Sequence, residues 1–84
     1  MNNSELEKVE SYLRTKFNNP KVVIEGRENK EDSAEVMLDG EFIGVIFKDE
    51  DEGEISYDFH MSILELDVEY NIRRVKTSVD GYVN

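Results

Sequence analysis

No cysteine occurs among the 84 residues, so neither a disulfide framework nor a thiolate zinc site can hold the chain, and stability must come from packing. A reducing compartment fits. Proline is nearly absent, with Pro20 alone, and histidine is reduced to His60. No run approaches the ~18 apolar residues of a membrane span, and the opening MNNSELEKVE lacks the basic and apolar regions of a secretory signal. A cytoplasmic protein without membrane contact is the expectation. Positive charge is also scarce: 10 basic against 20 acidic side chains leave a formal charge of -10, which repels phosphate backbones and anionic lipid. Nucleic acid is thereby disfavoured as a partner. The glycines form no strand-to-helix cluster of the kind that cradles phosphate, and no repeat or low-complexity segment is visible.

The length supports one core, because a second would leave each half near the ~40-residue limit for unaided folding. Ser4 and Glu7 have capping-box spacing, and Leu6, Val9, Leu13 and Phe17, with Tyr12 adjoining, form one apolar stripe. A helix is expected over roughly 5–17. Asn18-Asn19-Pro20 ends it. Val22, Val23 and Ile24 form a short strand, and the polar RENKEDS stretch, 27–33, reads as an exposed, mobile connection. Ala34, Val36 and Leu38 alternate with polar neighbours before Asp39-Gly40, a pair suited to a type I′ turn. The chain then returns as Glu41 to Lys48, apolar on both faces, and pairs again with Glu54 to Met61, where Ile55, Tyr57, Phe59 and Met61 alternate. After Ser62 the pattern weakens, and a turn followed by a short helix is the preferred reading, with Leu64, Val68, Ile72, Val75 and Val79 at helical spacing. The last residues, 79–84, are expected to fray. The fold class is α+β: an N-terminal helix on a four-stranded, mainly antiparallel meander, with a short C-terminal helical or irregular segment. One domain over 1–69 carries an extension over 70–84.

Three features invite a functional reading. The run Asp49, Glu50, Asp51, Glu52, Glu54 suggests calcium, yet counting from Asp49 puts Gly53 at position 5 and His60 at position 12, where an EF-hand needs Gly at 6 and Glu at 12. A solvated loop tip is the reading preferred. His60 faces the polar side of its strand beside Asp58 and Ser56, with no third orienting group implied. No catalytic residue, metal ligand or cofactor is assigned. Gly44 allows close approach, expected where Phe17 or Leu13 of the helix presses on the sheet. The helix can shield one face of the 42–47 strand, leaving Ile43, Val45 and Phe47, or the opposite set, to residues 63–79 or to a second molecule.

The strings YLRTKF-NNP and DGEFIGVIFKDEDEGEISYDFHMSIL resemble a small alphaproteobacterial family of uncharacterised proteins carried as a domain of unknown function, over about residues 4–69. The resemblance rests on Gly40 to Ile46, the acidic hairpin and Tyr57-x-Phe59-x-Met61. It implies a bacterial cytosolic protein and supplies no catalytic residues. The function expected is a noncatalytic protein–protein interaction or adaptor module, binding a second copy or another protein through Ile43, Val45, Phe47, Asp49, Glu50, Asp51 and Glu52. Two alternatives stand: an enzyme or ligand-binding protein gathering His60 with Tyr57, Asp58 or Arg14, and a weak nucleic-acid binder using Arg73, Arg74 and Lys76.

Overall fold

A computed structural model describes the backbone of residues 1–78 and the side chains through residue 71. The first helix, α1, is Asn3–Phe17. Its N-cap is Asn2 rather than Ser4: the Asn2 Oδ1 accepts from the Glu5 N-H at 2.8 Å, and the Glu5 carboxylate accepts from the Asn2 N-H at 3.2 Å. Both Asn2-x-x-Glu5 and Ser4-x-x-Glu7 satisfy the capping rule. The earlier start wins because it places Glu5 where Lys48 and Tyr57 can reach it. The helix ends as expected, with Asn18 left-handed at φ 53°.

Four strands follow, β1 (Val22–Arg27), β2 (Lys30–Leu38), β3 (Glu41–Asp49) and β4 (Ser56–Met61), in an antiparallel sheet of order β1-β2-β3-β4. A second helix, α2 (Glu65–Ser78), leaves β4 after a short connection. The α+β meander is therefore the observed fold. Asp39 and Gly40 both take positive φ, 53° and 83°, as the β2–β3 turn demands. The expected mobile loop at 27–33 is instead largely strand, joined by a tight turn in which Asn29 has φ 62°. Strands that outrun their helix have no apolar cover to gain, so polar residues there signal solvent rather than loop. The 54–61 strand begins two residues later than expected, at Ser56, and Ile55 lies outside it.

α1 sits on one face of the sheet and lies along β1. The core contains Val9 and Leu13 of the helix with Val22, Ile24, Ala34, Val36 and Ile46 of the strands, each contributing ~1.5–3 kcal/mol for the larger side chains. Helix side chains also serve the β1 edge: the Arg14 Nε donates to the Val22 carbonyl at 2.8 Å, and Glu10 accepts from the Ile24 N-H at 3.0 Å. Two groups of an otherwise open row are thus satisfied by the chain itself.

β3 contains a bulge. The β2–β3 register passes from Met37 opposite Phe42 to Val36 opposite Gly44, so Ile43 has no partner of its own. Beyond it, Gly44 faces the core side, but the room it leaves is taken by β4, not by the helix: a Cβ there would lie 2.6 Å from Phe59 Cε1 and against the His60 carbonyl. Phe17 reaches the same place only indirectly, through a tilted contact with Phe59 at 6.4 Å between ring centroids.

Candidate functional site

β4 is the edge that α1 does not cover, and two apolar surfaces flank it. The core-side surface begins where α1 ends its coverage. Ile46, Tyr57 and Phe59 form its floor, and Val9, Tyr12 and Leu13 with Lys8 form its wall, enclosing a groove of about 370 Å³. A single helix cannot span four strands ~4.8 Å apart, and placement along β1 leaves β3 and β4 short of cover. Tyr12, at 61% exposure, consequently stands at the rim rather than in the core.

The opposite, outer face holds two of the apolar residues expected to bind a partner. Val45 pairs with His60 and Phe47 with Asp58, and the Phe47 and His60 rings meet edge-on at 5.1 Å. Phe42 joins them at 52% exposure and Phe47 is 40% exposed, while Met61, opposite Gly44 and so of core-side parity, borders the cleft at the far end of β4. Ile43 stands apart from this alternation because of the bulge, half-buried between the core and the outer cleft. That cleft, about 850 Å³, also takes in Leu64, Asp67 and Tyr70, so the first turns of α2 lie on the outer side of the sheet.

Between β3 and β4 the acidic residues form a compact turn. The Asp51 N-H donates to the Asp49 carboxylate at 2.9 Å, the Glu54 N-H donates to the Asp51 carbonyl at 3.1 Å, and Glu52 and Gly53 both take positive φ. Among the described residues no group of three or more His, Asp or Glu is arranged to hold a metal ion. The turn displays carboxylates to solvent.

The residues considered for chemistry fall in different places. His60 shares the outer face of β4 with Asp58, whereas Tyr57 is on the core side and Arg14 is committed to the β1 edge and to Glu10 at 3.4 Å. The basic residues Arg73, Arg74 and Lys76 lie outside the described side chains.

One polar cluster escaped the sequence reading. Lys48 Nζ contacts Glu5 Oε2 at 2.5 Å, the Tyr57 hydroxyl donates to the same oxygen at 3.0 Å, and Glu50 lies 3.6 Å from Lys48. Hydrogen bonding to Lys48, then to the Asn2 N-H, holds the Glu5 carboxyl down at about 2, against an upward push from its shielding. The same bond raises Lys48, and Tyr57 is raised first by burial and then by its bond to the Glu5 carboxylate. Three elements meet here, and the cluster ties the start of α1 to β3 and β4. The available signal was Lys48 itself, a cation immediately ahead of five carboxylates and opposite Tyr57 in a hairpin register.

The sequence model of a family described as protein of unknown function (DUF3126) matches residues 5–67. No curated protein and no solved structure matches the chain. The match takes in α1, the whole sheet and the first residues of α2. Among the described residues no helix is long and apolar enough to cross a membrane.

Proposed function

The chain belongs to this family of unknown function, and we propose that it works as a noncatalytic protein–protein interaction module in the cytoplasm. The observation that carries the reading is the uncovered apolar surface on both sides of β3 and β4. Phe42 and Met61 are each 52% exposed. Clustered apolar side chains of this size on a small domain favour a macromolecular partner. Among the described residues that follow β4, Leu64 and Leu66 give little relief, at 60% and 77% exposure.

Val45, Phe47 and the bulged Ile43 then form the apolar centre of a contact, and Asp49, Glu50, Asp51 and Glu52 a charged rim favouring a basic surface opposite. The test joins two measurements. Sedimentation across a wide concentration range reports self-association, and affinity capture from the native cell under matched controls reports another partner. We expect at least one of the two to be positive, and capture of another protein, where it is the positive one, to weaken in Phe47→Glu. A monomer at every concentration with no specific partner recovered would remove the reading.

A further inference from the structure

We propose that the groove between α1 and β4 receives α2 of a second copy of this chain, exchanged reciprocally about a two-fold axis. The inference rests on the interaction reading and gives it a partner and a place. The groove is open, apolar and floored by Ile46, Tyr57 and Phe59. The sequence of α2 repeats Val68, Ile72 and Val75, the i, i+4, i+7 pattern by which a helix anchors in such a groove. Among the described residues α2 has no extensive packing on any other element.

Topology decides between the chain's own helix and its partner's. The first turns of α2 line the outer cleft with Phe42 and Phe47, whereas the groove lies on the core side of the same sheet. A connection of three residues, 62–64, leads from β4 into a helix already on the wrong side of that edge. A second molecule faces no such restriction, and a two-fold arrangement fills both grooves with one kind of contact.

Charge and length agree with this assignment. With Val68 over Phe59, residues Arg74 and Lys76 fall ~9–12 Å further along the helix at ~1.5 Å per residue. From Phe59 to Ser56, the start of β4, the strand runs ~10 Å at ~3.3 Å per residue. The acidic turn joins β4 at that end, with Ser56 opposite Asp49. The helix backbone at 74–76, where the sequence is basic, is thereby brought level with the acidic turn of its partner.

The absence of cysteine makes the test clean. Two single variants, Tyr12→Cys at the groove rim and Val68→Cys on α2, are mixed and oxidised, one of them carrying a mass tag. A disulfide between the two different chains is expected. Sedimentation should show a wild-type dimer, weakened about tenfold or more by Tyr12→Asp and by Val68→Asp but not by Phe47→Asp, with circular dichroism confirming that each variant is folded. A cross-link formed only within the chain of a Tyr12→Cys, Val68→Cys double variant overturns the exchange in favour of docking on the chain's own groove. Loss of the dimer in Phe47→Asp alone overturns it in favour of the outer face. A monomeric wild type that captures another protein overturns it while sparing the interaction reading, and a monomer without any partner removes both.

Discussion

Gly44 and Gly26 show how one missing methyl group can have opposite meanings in the same sheet. At Gly44 an added Cβ would lie 2.6 Å from Phe59 Cε1 and against the backbone of His60, which is fixed by the β3–β4 ladder. Gly44→Ala should therefore cost ~1–3 kcal/mol, the range for overpacking a well-filled site. At Gly26 the nearest atom is Leu6 Cδ1 at 3.5 Å, an ordinary contact, so Gly26→Ala should be neutral or gain ~0.4–1 kcal/mol through the unfolded chain. Paired denaturant titrations check both, and equal midpoints would refute the placement of Phe59 over Gly44. Glu5 carries the second prediction at this scale. Its pKa falls from 4.5 to about 2 on folding, so the unfolded chain binds the proton more readily. The stability this supplies is full above about pH 4.5 and is lost as pH falls through about 2. Glu5→Gln should flatten the stability profile in that window and leave its shape near neutrality unchanged. A variant profile as steep as wild type below pH 4.5 would assign the slope to other carboxylates.

The helix start is where two elements of similar sequence grammar compete. Asn2 with Glu5 and Ser4 with Glu7 are equivalent as strings, and only the first is a cap in the fold. Asn2→Ala should cost ~1 kcal/mol, the usual value of a lost cap, while Ser4→Ala, inside the first turn, should change stability by less than ~0.5 kcal/mol. Thermal melts of the two variants decide the matter, and a larger loss in Ser4→Ala would restore the later start. The same comparison shows what was legible beforehand. Periodicity and turn chemistry were local, so the helix stripe, the Asn18 stop, the Asp39-Gly40 turn and the α+β meander could be read directly. What escaped needed long-range information. The bulge at Ile43 depends on pairing with β2, the space beside Gly44 on a ring two strand positions away on β4, and the Glu5–Lys48–Tyr57 cluster on three elements meeting. The β1–β2 hairpin was hidden because its distal residues extend past the helix and look like a loop. The outer-face residues Val45 and Phe47 were found by alternation, but the groove under Tyr12 was not, since it follows from where α1 sits across the sheet.

Across the whole molecule the two edges of the sheet differ, and so do its charges. Two backbone groups of the β1 edge are taken by Arg14 and Glu10, while the apolar surfaces and the acidic turn gather around β4. Most of the molecule's options for contact therefore lie at one end of the sheet. The net charge of -10 acts everywhere and opposes compactness. Few ion pairs among the described residues offset it. Lys21–Asp39 is 64% and 72% exposed and belongs to the class worth ~0–1 kcal/mol, whereas Lys48–Glu5, at 17% and 18%, is shielded from salt. Screening should thus relieve repulsion more than it weakens attraction. Raising salt from about 0.01 to 0.1 M shortens the screening length from ~30 to ~10 Å, and the melting temperature at a fixed protein concentration that keeps the chain monomeric should rise. The double variant Asp51→Asn, Glu52→Gln removes two carboxylates from the turn without touching the Asp49 side chain or the Asp51 carbonyl that order it. At a protein concentration low enough to keep both chains monomeric, it should melt higher than wild type at low salt and gain less on adding salt. A melting temperature that falls with salt in the wild type would mean that attractive pairs dominate the folded state, and the acidic turn would then be a stabilising partner within the fold rather than a charge held out for another molecule.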